Sequence, residues 1–273
     1  VLLVCPIIVA IAGILPNSSS SQFRRLADDG FSRFRPPALV TDADLETLPA
    51  PVERYLRYVG VVGKPRIVNL KAQFRGSISA TRDAPARAFT AEQVSFFDTS
   101  MRLFFIESSR SGLPFDALHA FVGPDATMRV KIASLVPVVD ARGSEMNESE
   151  TVTMFNDMCV LAPATLIDPA IRWETVSDSS VKATFTRNGV TIRAVLTFGA
   201  NGELVNFTSS DRFQTSDGKT YHRFAWSTPV KNYRDYRGYR LASYGDATWH
   251  EPTGDFTYGH FELEDIRYNA TTR

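Results

Sequence analysis

From residue 68 to residue 80 the chain alternates between apolar and polar side chains. Val68, Leu70, Ala72, Phe74, Gly76, Ile78 and Ala80 take the even positions; Asn69, Lys71, Gln73, Arg75, Ser77 and Ser79 take the odd ones. A period of two sends the two sets to opposite faces, so the segment predicts a long strand with one wet face. Residues 89–98, residues 101–109 and the set Met128, Val130, Ile132 predict three further strands. Later strands are expected at 171–176, 181–186, 190–198, 203–213, 221–226, 246–250 and 256–268, with Asn188-Gly189 and Asn201-Gly202 turning the chain. Residues 114–121 read as one or two helical turns, and residues 231–244, rich in Tyr and Arg, read as loops.

Between the two groups of strands the period becomes helical. Val152, Phe155, Cys159 and Ala162 make one apolar stripe, and Met154, Met158 and Leu161 make a second beside it. A surface this wide needs cover on more than one side. Asn147 reads as the N-cap, with Glu150 three residues on as in a capping box, and Pro163 ends the helix or opens a second one. Thr153, Asn156 and Asp157 oppose the stripes. Asn and Asp compete for backbone groups inside helices, so their presence here asks for a reason. Either this face is solvated, or it is a polar site facing the sheet, with Glu150 two turns before Asp157 on a similar bearing. Upstream, residues 51–59 predict a helix that buries Val52, Tyr55, Leu56 and Val59 and stops at Gly60. Residues 42–48 suggest a short helix, residues 24–37 a helix near a membrane surface, and residues 16–22 a polar linker.

These elements imply an α+β fold: a large, curved antiparallel sheet or half-barrel covered by one inserted helix, with a short N-terminal helical segment. The expected organisation is a membrane segment or signal remnant with linker at 1–22, a helical lead-in at 23–62, and an antiparallel β domain at 63–273 whose inserted helix spans 147–167.

Composition changes this picture in two places. The 273 residues carry 30 basic and 30 acidic side chains, so no basic excess points to nucleic acid. Residues 1–15 are almost wholly apolar but fall short of the ~20 residues that span a bilayer. They read either as the end of a membrane span or as a signal peptide with Ala10-Ile11-Ala12 as cleavage site. Both readings place the remainder outside the cytoplasm, periplasmic or at the cell surface, and anchored or secreted. Cys5 and Cys159 sit in unlike settings, so a disulfide between them is not expected and cysteine usage does not identify the compartment.

Candidate chemistry centres on a few polar groups. In the strand 204–213, Asp211 shares a face with Val205, Phe207 and Phe213, so its carboxylate has to be paired, hydrogen-bonded or in a polar cavity; Arg212 projects to the other face. His260 alternates with Phe256, Tyr258 and Glu262, and is expected to face the interior. His222, His250 and His260 lack H-x-H or H-E-x-x-H spacing, which implies no metal site, and no phosphate loop, G-x-G-x-x-G or G-x-S-x-G implies a cofactor or nucleophile. The candidate ligand-binding set is Met154, Phe155, Met158, Leu161, Asp211, Glu150, Asp157 and His260. Three function classes follow. The first is a membrane-tethered extracytoplasmic domain binding a lipid or other apolar molecule. The second is an enzyme using Asp211 and Glu150 or Asp157 as acid and base. The third is a structural or partner-binding envelope module. A cavity between helix and sheet separates the first from the third; two carboxylates converging in it favour the second.

Five stretches taken together, LPAPVERYL (48–56), ETVTMFNDM (150–158), SSDRF (209–213), WSTPV (226–230) and IRYN (266–269), resemble an uncharacterised, largely bacterial family catalogued only as a domain of unknown function. The resemblance implies an N-terminal membrane segment, no established activity and no catalytic residues to carry over. More loosely, a curved antiparallel sheet with a helix inserted between two groups of strands is similar to periplasmic lipoprotein carriers of the Lol type, a likeness of fold.

Overall fold

The computed structural model describes residues 17–110 and 113–273, so the apolar run at 1–15 and its cleavage site lie outside the described residues. The helices are α1 (Ser19–Ser32), α2 (Ala50–Val59) and α3 (Ser144–Val160), with 3-10 turns at Asp42–Asp44 and Pro163–Ile167. Before α3 come β1 (Asn69–Ile78), β2 (Arg87–Phe96), β3 (Met101–Arg110), β4 (Leu113–Val122), β5 (Asp125–Ile132) and β6 (Val136–Arg142). After it come β7 (Ile171–Ser177), β8 (Ser180–Arg187), β9 (Val190–Phe198), β10 (Leu204–Gln214), β11 (His222–Ser227), β12 (Val230–Tyr236), β13 (Tyr239–Glu251) and β14 (Gly254–Tyr268).

Among the described residues, the fourteen strands form one antiparallel sheet in the order β6-β5-β4-β3-β2-β1-β14-β13-β11-β10-β9-β8-β7, with β12 also on β13. The first and last strands pair at its middle, and α3 connects its two edges, β6 and β7. α3 touches β5 and β6 near one edge and β9 and β10 near the other. A sheet whose two ends meet the same helix has to curl around it, and the result is a half-barrel closed over α3. The architecture is thus α+β, a curled antiparallel sheet covered by an inserted helix.

α3 is consequently buried on nearly every side. Phe155 stacks on Phe185 at 5.0 Å between ring centroids and meets Phe207 at 5.8 Å. Met154 packs with Phe121, Ala126, Ala141 and Met146, a separate cluster on another side of the helix. At the C-terminal end, the hydroxyl of Tyr55 donates to the Cys159 carbonyl at 2.7 Å and that of Tyr268 to the Leu161 carbonyl, so carbonyls left without helical partners are satisfied by α2 and β14. Cys159 is a buried free thiol.

α1 covers the outer face of β2–β4. Phe23 stacks on Phe105 at 5.7 Å and Phe31 meets Phe96 edge-on at 5.0 Å. With α1 outside and the barrel interior inside, both faces of β3 are covered, and every residue from Met101 to Ile106 is buried. The helix starts at Ser19, capped by the Ser18 hydroxyl, which accepts from the Ser21 N–H. The serines expected to form a linker therefore belong to its first turn.

Three expectations need correction, and one strand was not foreseen. Residues 114–121 are strand, not helical turns: Pro114 sits next to the start of β4, where a missing N–H is tolerated. Residues 231–244 are not loops; they form β12 and the first half of β13. β6 lies at a sheet edge with Val136 and Val138 exposed, so it carries no clean alternation to read. Finally, α3 begins ahead of Asn147: Gly143, at φ 107° and ψ −172°, is the entry residue, and Asn147 Oδ1 accepts from the Ala126 N–H at 2.8 Å.

Candidate functional site

The face of α3 carrying Glu150, Thr153, Asn156 and Asp157 is neither solvated nor packed shut. It walls a cavity of about 160 Å³ that opens to solvent. Phe74, Phe104, Phe261 and Leu263 make its apolar wall, with Val160 and Leu161 at the end of α3. A dry hollow of about this size holds a benzene-sized group.

Arg102, on β3, crosses to two acids two helical turns apart on α3. Its Nη1 reaches Glu150 Oε2 at 3.2 Å and its Nε reaches Asp157 Oδ2 at 2.5 Å. The Arg102 side chain is 7% exposed and that of Glu150 2%. Gln93 Nε2, on β2, also donates to Asp157 Oδ2 at 2.6 Å, and His119 Nδ1, on β4, lies 3.5 Å from Glu150 Oε1. Burial raises the carboxyl of Glu150, but Arg102, His119 and the positive charge of Arg212 outweigh it and hold the group at about 2. Asp157 moves the other way: burial, with the Glu150 charge, lifts it above its ordinary range, against the pull of Arg102 and Gln93. Arg102 pulls both acids down; they part because His119 and Arg212 add to its pull on Glu150, while at Asp157 burial and the Glu150 charge prevail.

The opposite wall comes from the second half of the sheet. Between Ser209 and Arg212, β10 spends three steps where β11 spends two, from Trp226 to Phe224. This bulge resets the alternation, so that Arg212 turns inward and Asp211 is left at the outer surface. Asp211 accepts the Arg193 N–H at 2.8 Å and pairs with Arg223 at 3.1 Å. A second bulge lies where Ala247 pairs Gly259 but Thr248 pairs Thr257. Tyr258 is its extra residue and lines the cavity, and the alternation is reset before His260. That side chain lies outside, 46% exposed and 2.6 Å from Asp246.

Of the expected ligand-binding residues, Glu150, Asp157 and Leu161 line the cavity. Met154, Phe155 and Met158 point into filled core. Asp211 and His260 are on the outer face, the reverse of the directions expected for Asp211, Arg212 and His260, because strict alternation fails at the bulges. Arg102, Gln93, Arg212 and Tyr258 escaped sequence reading. Arg102 alone carried a signal: a charged residue between apolar Met101 and Leu103.

A model of a family of unknown function, DUF6544, matches residues 38–261. The chain belongs to this family. The match spans the cavity residues named above apart from Leu263, and the family's description assigns them no role. No curated protein matches the chain. Among solved structures, a LolA superfamily protein from Nitrosomonas europaea is similar at 11% identity and TM-score 0.41, over 85% of this chain and 94% of that one. A domain from Vibrio parahaemolyticus assigned to outer membrane lipoprotein sorting is similar at 12% identity and TM-score 0.39, over 73% and 85%. Both likenesses are distant, and no function is drawn from them.

Proposed function

We propose that this protein binds a lipid or other apolar small molecule in the cavity between α3 and the concave face of the sheet, as an extracytoplasmic domain tethered or exported through the segment that holds residues 1–15. The observation carrying the reading is the cavity itself. Protein interiors are close-packed, with few voids larger than a water molecule. Here an open hollow of about 160 Å³ persists beside a helix whose other faces are buried in apolar core. Aromatic and aliphatic walls with a few fixed polar groups are what a small-molecule site presents.

The test is uptake of 1-dodecanol, read through the fluorescence of Trp226, which lines the cavity. A saturable response is expected. Ala247→Phe places a ring in the hollow and is expected to weaken uptake at least about tenfold, the worth of two buried methylene groups, with little change in melting temperature. A wild-type protein that gives no saturable response, or a variant that binds equally well, would defeat the reading.

An enzymatic reading has one observation of its own. Two carboxylates meet at the cavity, one held low and the other lifted, and Asp157 Oδ1 has no hydrogen-bond partner among the described residues. Under it, Asp157→Asn keeps ligand affinity and abolishes turnover. A ligand recovered intact by mass spectrometry after long incubation with wild-type protein sets it aside.

A further inference from the structure

The carboxylates on the cavity wall are all engaged. Glu150 has Arg102 and the imidazole of His119, Asp157 has Arg102 and Gln93, and Asp246 has His260. Arg212 is different. Among the described residues, no carboxylate oxygen lies at ion-pair distance from its guanidinium, and Glu150 attracts it only from farther away. Its hydrogen bonds go to neutral groups instead: Nε to Thr153 Oγ1 at 3.3 Å and Nη1 to the Tyr258 hydroxyl at 3.2 Å. Its Cζ stands 4.2 Å from the ring centroid of Trp226 and 5.0 Å from that of Trp249. Two indole faces and two hydrogen bonds hold the fork in place, while Nη2 donates to nothing in the protein among the described residues.

Tyr258 completes the pattern. Its oxygen accepts from Arg212 Nη1 and from Trp226 Nε1, each at 3.2 Å. Both lone pairs are then used, and the hydroxyl hydrogen is left without an acceptor among the described residues. Two neighbouring groups therefore offer donors to one missing acceptor at the edge of an apolar hollow. Both reach that place through β-bulges, which re-aim side chains at the expense of regular pairing.

We infer that Arg212 and Tyr258 form a headgroup site for an oxyanion, the carboxylate or phosphate of a single-tailed amphiphile whose chain runs along Phe74, Phe104, Phe261 and Leu263. The inference rests on the proposed ligand-binding role of the cavity and names the class of ligand. An anion suits the site because Arg212 is the cavity-wall guanidinium without an acid. One tail suits it because a hollow of about 160 Å³ accommodates one slender group, the remainder leaving through the open mouth.

The experiment is calorimetric titration of the full chain with dodecanoate, dodecyl phosphate and 1-dodecanol, each below its micellar concentration. Wild-type protein is expected to bind at least one of the two acids about tenfold or more tightly than the alcohol, the range of a hydrogen bond to a charged group; which acid binds tighter identifies the source of the oxyanion. Arg212→Gln is expected to remove that preference. Arg212→Lys, a point charge without the fork, is expected to restore part of it. Tyr258→Phe removes a single oxygen and is expected to weaken acids alone, by about threefold or more. Should the alcohol bind the wild type as tightly as both acids, or the preference survive Arg212→Gln, the headgroup site is wrong and the cavity reading stands. If none of the three binds, the cavity reading itself fails. The wild-type comparison needs no variant, so it decides even where a substitution unfolds the protein.

Discussion

Arg102 holds two buried acids, and removing it leaves Asp157 without a cation and Glu150 with only His119 and the more distant Arg212. Arg102→Met is expected to cost on the order of 3–5 kcal/mol in chemical denaturation, because an uncompensated buried charge remains; a loss below about 1 kcal/mol would contradict the burial of this cluster. The acid limb of stability follows from the same group. Glu150 sits at about 2 in the folded protein against an ordinary 4.5, so it binds protons less readily folded than unfolded. Its contribution, about 3 kcal/mol, is fully present above pH ~4.5 and is lost as pH falls towards 2. Asp157, being lifted, acts in the opposite sense: it costs stability at neutral pH and returns it as it takes up a proton. Glu150→Gln is expected to flatten the fall of stability between pH 5 and 2, measured by urea unfolding; an unchanged slope would contradict this assignment. Asp211 shows where residue-level reading failed. Sharing a face with apolar neighbours pointed to a costly buried acid, but the carboxylate, 15% exposed, is answered on the outer face by a backbone N–H and by the half-exposed Arg223. Asp211→Ala is therefore expected to cost only about 1 kcal/mol.

At the scale of elements, α3 was the most legible part of the chain. Two adjacent apolar stripes require two sets of partners, and the helix has them: the Phe185–Phe207 core on one side and the Phe121–Met146 cluster on another. Its polar stripe was also visible, as Asn156 and Asp157 in mid-helix. Which stripe meets the hollow was not, because that depends on how far the sheet curls. Apart from Leu161, which meets the hollow at the end of the helix, the apolar stripes are buried in filled core, and the polar stripe walls the cavity. Met158→Trp is therefore expected to overpack the core and cost about 1–3 kcal/mol, in contrast to Ala247→Phe, which has room; equal melting temperatures for these two variants would contradict the placement of the cavity. The entry to α3 makes a separate demand. Gly143 holds φ 107° and ψ −172°, a region reserved for glycine, with no atom nearer than 3.8 Å to an added Cβ. Gly143→Ala should therefore destabilise through backbone strain alone, by about 1–3 kcal/mol in thermal or urea unfolding. Most strands were legible from their period of two. The bulges were not, since an extra residue looks the same as its neighbours in a list of side chains, and those in β10 and β14 inverted the predicted faces of Arg212 and His260.

For the whole molecule, the fold class could be read because strands on both sides of one long helix leave few ways to bury that helix. Pairing of β1 with β14 joins the two halves, and the helix between β6 and β7 becomes the axis around which the sheet curls. The cavity arises where the two halves meet: Arg102, Gln93 and His119 come from the first, and Arg212, Tyr258 and Trp226 from the second. Residues more than a hundred positions apart in the chain cannot be paired by local pattern, and for that reason only the α3 half of the site was visible beforehand. The central claim is that this shared hollow holds an acidic, single-tailed molecule. The most direct measurement is native mass spectrometry of protein purified gently from its own host, wild type beside Ala247→Phe, followed by solvent extraction of the bound species. A fraction of the wild type is expected to carry an added mass that extracts as a single-tailed acid, and the folded variant to lack it. Wild-type protein that emerges empty and takes up no dodecanoate, or a variant that carries the same added mass, would contradict the account.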